Sequence, residues 1–243
     1  MPRKFRACLS RCGQPEGNLV TAEATNVAVS TSRAGNVYEW IRERIIDGTF
    51  PPGQRIRERD VALELQVSRV PVREALPQLE SEGYIETLPR RGAVVTHLTV
   101  QAVTELFDVR SSLEVLGTRL AAQACAGGTD ASRLRDLLGA AEAVLQENNE
   151  NLIADINSKI HEEILELSGS HLLRRLMSPV NGQVRRLFHV ASDRDQLVQH
   201  HEHSAIVQAI TEGHSELAAA LAFAHVEHSR NECLPIVEKS LKA

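Results

Sequence analysis

Two sets of side chains in this 243-residue sequence are equipped for chemistry. Residues 36–97 hold nine arginines and no lysine, and nine of the ten histidines lie beyond residue 160. A guanidinium is a planar fork of donors that matches phosphate and the O6/N7 edge of guanine, so the arginine set is suited to nucleic acid. Imidazole changes charge near physiological pH and is a common ligand of transition metals, so its concentration in one half of the chain marks a candidate site. The bland alternative for both sets is a solvated face of ion pairs, and for any single histidine a surface or hydrogen-bonded core position.

Such groups act only if secondary structure holds them. From Asn36 onward, Val37, Tyr38, Trp40, Ile41, Ile45 and Ile46 follow one helical stripe that Gly48 ends. The run Phe50-Pro51-Pro52-Gly53 forces a turn. A short second helix fits 58–65. A third begins after Ser68, a good N-cap, and runs to about residue 82, where Gly83 can stop it. Segments 84–88 and 93–96 read as strands joined by a basic tip, Pro89-Arg90-Arg91-Gly92. That order is the order of a winged helix-turn-helix, whose third helix enters the major groove.

Beyond His97 the strand signals stop, and amphipathic helices are expected at 101–125, 131–147, 150–168, 171–190, 196–212 and 215–239. The predicted fold is mainly α: three helices and a β-hairpin wing over 36–97, then an antiparallel all-α bundle over 98–243. Residues 1–35 show neither periodicity and read as a disordered extension. The formal charge of −5 divides into +3, −1 and −7 over these three segments, which neither requires nor forbids a nucleic-acid partner. Cys8, Cys12, Cys125 and Cys233 are scattered, and no second pair follows Cys8 and Cys12 at zinc-finger spacing, so free thiols in a reducing cytoplasm are expected. The N-terminus lacks the apolar core of a secretory signal, and the longest apolar run, 217–224, is too short to cross a membrane.

The string RERDVALELQVSRVPVREALPQLESEGYIETLPRRGAVV resembles the GntR-type regulators over nearly all of 36–97. The resemblance implies that Arg59, Ser68, Arg69 and Arg73 touch DNA, and that Arg91 and Gly92 form the tip of the wing. Spacing agrees, because Arg69 and Arg73 are four residues apart and leave the third helix from one face. Val70, on the same turn, could meet a thymine methyl, and Arg91 could enter the minor groove. Arg69 and Arg73 could instead pair with Glu74 or Asp60. Pro77 departs from the family pattern, and a kink is expected there, because proline removes a hydrogen bond to the Arg73 carbonyl.

The C-terminal half resembles the FCD-type ligand-binding domain of the same regulators, through Asn157-Ser-Lys-Ile-His161, His203-Ser-Ala-Ile-Val-Gln-Ala-Ile and Ala-Ala-Ala-Leu-Ala-Phe-Ala-His225. The resemblance implies a divalent metal, zinc or nickel foremost, held by Asn157, His161, His203 and His225, with a small carboxylate effector beside it. Where the family commonly has aspartate this chain has Asn157, a weaker ligand. Arg110 and Arg119 could place a guanidinium beside the effector, or each could make a surface ion pair. The expected protein is therefore a homodimeric regulator of a palindromic DNA operator, without a membrane partner. A metal-dependent hydrolase is disfavoured, because neither a His-Asp dipeptide nor His-Glu-x-x-His occurs and no carboxylate base is evident near the histidines. A constitutive DNA binder with a structural metal stays open.

Overall fold

A computed structural model describes residues 22–146, 150–191 and 194–241. Cys8 and Cys12 lie outside them. The element order is α1 (Ala22–Ile46), α2 (Glu58–Glu64), α3 (Arg69–Ser81), β1 (Ile85–Leu88) and β2 (Gly92–Val95), then α4 (Val100–Ala126), α5 (Ser132–Gln146), α6 (Glu150–Leu167), α7 (His171–Val190), α8 (Gln196–Thr211) and α9 (Ser215–Ser240).

One boundary departs from the expectation. The first helix starts at Ala22 and not near Asn36, so 22–35 is helical and not a disordered stretch. Extending a helix already anchored by its buried end costs far less than nucleating one, and this segment is rich in alanine with no proline. Periodicity could not show this, because propagation needs no apolar stripe.

The N-terminal core is the predicted stripe of α1 closed by α3 and the hairpin: Val37, Ile41, Val72, Leu79, Tyr84 and Val95 are buried together. Gly83, at φ +79°, turns the chain out of α3 and into β1. The two strands pair antiparallel, Ile85 opposite Val95 and Leu88 opposite Gly92. A third stretch joins them through hydrogen bonds from Gly53 N to Val95 O and from Ile56 N to Ala93 O, both 2.9 Å. Its Pro-Pro-Gly approach concealed this pairing. In the C-terminal domain α4 packs along α9 and also meets α6, α7 and α8. Its start is capped by the Thr99 hydroxyl, which accepts from Ala102 N.

The domains meet along α7. Arg185 grips Glu43 of α1, Gln183 donates to the Glu82 carbonyl, and Arg186 donates to the Thr96 hydroxyl and carbonyl. Gly182 faces Tyr84 so closely that a Cβ there would lie 2.0 Å from the phenol oxygen. Tyr84 is fully buried, so moving its ring aside would disturb the core around it. Gly182→Val is expected to destabilise the folded chain by about 1–3 kcal/mol through overpacking at this junction. Gly139→Ala, on α5 with no atom within 4 Å of the added methyl, should be stabilising by up to about 1 kcal/mol. Urea midpoints of the two variants check the contrast.

Candidate DNA-binding surface and metal centre

The residues assigned to DNA stand out in solvent. Arg59, Ser68, Arg69, Val70, Arg73, Arg90 and Arg91 are all exposed, and Gly92 is half-buried. Ser68 is in extended conformation ahead of α3, but its hydroxyl makes no capping hydrogen bond. The helix is therefore begun by backbone geometry, and the hydroxyl stays available to a phosphate. At the wing tip Arg90 and Gly92 have φ of +65° and +74°, a tight turn that thrusts the basic residues outward. Pro77 lies on the exposed side of α3, and the helix continues past it to Ser81, so the Arg69 to Arg73 turn is regular helix.

Arg69 and Arg73 converge on one carboxylate. Each sets its Nη2 on Glu58 Oε2, at 3.0 and 2.9 Å. The Arg73 hydrogen bond is the main cause that holds the Glu58 carboxyl below its usual range. Asp60, weighed from the sequence as their partner, is instead 3.9 Å from Arg57. Glu58 is eleven residues from Arg69 and belongs to α2, so no helical spacing pointed to it. It holds both guanidinium groups in a common position on α3.

The second site lies inside the bundle. His161 of α6, His203 of α8 and His225 of α9 turn ring nitrogens toward one another, all within 4.8 Å. The His161 and His203 Nε2 atoms are 3.2 Å apart. Two ligands of a tetrahedral ion with bonds of ~2.0–2.1 Å stand about 3.3 Å apart, so the spacing suits a metal of zinc size. Burial pushes His161 down to about 4, and burial followed by the neighbouring imidazoles puts His203 well below its ordinary value. Both rings are therefore neutral at pH 7, the form that ligates.

Carboxylates orient these rings. Glu202 accepts from His225 Nδ1 at 2.7 Å and from His228 Nδ1 at 2.6 Å, which leaves His225 Nε2 for the cluster. Glu114 lies 3.6 Å from His161 Nδ1 and takes the Nε of Arg110 at 2.5 Å. Burial alone would raise Glu114, but Arg110 first and His161 next hold it down at about 2. The sequence-based expectation of no carboxylate near the histidines is corrected by these two. Both are tied up in ion pairs and hydrogen bonds, so they act as the outer partners that fix ring orientation.

A cavity of about 580 Å³ opens beside the three imidazoles. Four polar atoms of residues in its wall are buried with no hydrogen-bond partner: Asn157 Oδ1, Arg110 Nη1, Gln196 Oε1 and His203 Nδ1. Buried polar atoms are rarely left unpaired, and this set brings acceptor oxygens and a guanidinium donor to one wall. Asn157 sits one turn before His161, as the sequence reading places it. Arg110 is wholly buried and lines the cavity, whereas Arg119 is part-exposed, pairs with Glu216 and is no part of the wall. The reason is rotation: nine residues on an α-helix turn through about half a circle beyond whole turns, so the two arginines leave α4 on opposite sides.

Two family models match the chain. The FCD domain covers residues 105–228, and the gntR family of bacterial regulatory proteins covers residues 33–95. The chain belongs to the gntR family of regulators with an FCD domain. This gntR-family chain is 29% identical, over 83% of its length and 91% of the relative's, to YdhC, an uncharacterized HTH-type transcriptional regulator of Bacillus subtilis (strain 168). It is 47% identical to the gluconate operon transcriptional repressor of the same species over 74 residues, 30% of each chain. Among solved structures, a GntR transcriptional regulator from Rhodococcus sp. RHA1 is similar with a TM-score of 0.70 and 28% identity, covering 84% of this chain and 98% of that one. These relatives are regulators of transcription and not enzymes. No described helix of this gntR-family chain is long and apolar enough to cross a membrane.

Proposed function

We propose that this chain is a dimeric cytoplasmic repressor that binds a palindromic operator through α3 and the wing, and that a small carboxylate bound beside a divalent metal sets its operator affinity. The observation that carries the reading is the joint presence, in one cavity wall, of three imidazoles, the unpaired Asn157 carbonyl and the unpaired Arg110 Nη1. His161, His203, His225 and Asn157 would hold the ion, zinc or nickel by the nature of the donors. The ion supplies a Lewis-acidic centre that an effector carboxylate can complete, and Arg110 supplies a donor for its second oxygen. Glu114 and Glu202 keep the rings and Arg110 aimed while the effector comes and goes.

At the DNA, Arg69 and Arg73 reach base edges or phosphates, Arg59 and Ser68 reach the backbone, and Arg91 with Gly92 follows the adjacent minor groove. The repressor assignment is supported by the likeness to the gluconate operon repressor. Selection of bound duplexes from a random library, followed by titration in zinc with a panel of mono-, di- and tricarboxylates, tests the whole reading. A twofold-symmetric consensus is expected, with at least one acid changing affinity by about 5-fold or more. A site with no symmetry, or an affinity indifferent to every acid, would refute it.

A further inference from the structure

The cavity wall is not confined to the helical domain. Ile46 and Asp47, at the end of α1, complete it beside Arg185 and His189 of α7. Arg185 both lines the cavity and holds α1, with its two Nη atoms 3.0 and 2.8 Å from the Glu43 carboxylate. Glu43 has a second cation, since Arg42 Nη2 lies 3.0 Å from its Oε1. Asp155 also faces Arg185 electrostatically. The Arg185 side chain is 32% exposed, so changing its partner requires no deep desolvation.

One neighbouring contact of the junction carries a cost. Arg186 is 3% exposed, and among the described residues it finds only the neutral oxygens of Thr96 as hydrogen-bond partners. Burial lowers its guanidinium to about 10. A buried cation with no carboxylate is costly and favours separation of the surfaces that bury it. Arg185–Glu43 is thus the ion pair that offsets this cost across the junction.

We propose that Arg185 is an anion subsite at the domain junction: a carboxylate of the effector pairs with its guanidinium in place of Glu43, and this exchange releases α1 from α7. The inference rests on the cavity being the effector pocket. Charge balances through the exchange, because Arg185 trades one carboxylate for another and Glu43 keeps Arg42. The ligand therefore acts on the DNA-binding domain by direct competition, and the coupling is reciprocal: weakening the Glu43 contact must tighten anion binding by the same factor.

Sulfate serves as the probe, with the metal-free full chain at constant ionic strength. Titration calorimetry should find sulfate bound at least about 5-fold more tightly by Glu43→Gln than by wild type, the low end of usual coupling, and lost in Arg185→Gln. In wild type, saturating sulfate should raise amide hydrogen exchange over residues 44–50, a measurement that needs no variant to fold. Equal affinity in wild type and Glu43→Gln, no sulfate binding by Glu43→Gln, binding retained by Arg185→Gln, or unchanged exchange would each overturn the proposal. Because every arm is metal-free, failure of the metal reading shows separately, as absence of zinc-induced stabilisation.

Discussion

Stripped of metal by a chelator, the wild-type chain is expected to unfold about 5–10 °C below its zinc-saturated form, and His203→Ala is expected to abolish the difference. An ion that binds only the folded state stabilises it by RT ln(1 + [L]/Kd), about 2.7 kcal/mol at a hundredfold excess over Kd. For a domain of this size each kcal/mol raises Tm by roughly 2–4 °C. The effect should be large here because the three imidazoles are already gathered, with His161 and His203 Nε2 3.2 Å apart and both rings neutral at pH 7. Little ordering entropy remains to be lost. His203 is the informative position, since it is buried at the meeting point of α6, α8 and α9. Asn157→Asp should increase the shift by restoring a charged oxygen ligand. Differential scanning fluorimetry of wild type and both variants, with zinc, nickel or manganese, decides the matter. A wild-type Tm that ignores all three ions would exclude a metal from this cavity.

Arg73→Ala is expected to weaken operator binding by about 1–3 kcal/mol, roughly 5- to 150-fold, the usual value of a bidentate base contact. Glu58 makes the outcome diagnostic. In the free protein it holds Arg69 and Arg73 together, and a duplex must either accept them as Glu58 presents them or draw them away. If Glu58 presents them, Glu58→Gln loses operator affinity while affinity for unrelated duplex hardly changes. If it competes with DNA, Glu58→Gln binds every duplex more tightly. We expect the first, because Glu58 is half-buried at a fixed place on α2 while both arginines are mostly exposed. Fluorescence anisotropy against operator and scrambled duplex at two salt concentrations separates these results. If Arg73→Ala binds operator like wild type, α3 is not the reading helix.

Much of this was legible in the residues. The stripe from Val37 to Ile46 has helical period, Gly83 stands where the chain takes positive φ, and the Pro-Arg-Arg-Gly turn marks where the two strands are joined. These are local properties, and each was found within a few residues of its predicted place. The start of α1 at Ala22 carries no such signal, because it depends on propagation and not on amphipathic pattern. Asn157, His161, His203, His225 and Arg110 line one cavity, whereas Arg119 does not.

The sequence by itself determined the order of elements, the family, and the side-chain types available for DNA and metal, because short-range sterics and periodic burial act within a few residues. Only the tertiary structure decided the partners: Glu58 for two arginines, Glu114 and Glu202 for the imidazoles, Glu43 for Arg185 across 142 positions of chain. Any of the 32 aspartate and glutamate side chains could have served these groups. Which ones do so follows from the packing of whole helices, and in particular from α7 lying against both domains.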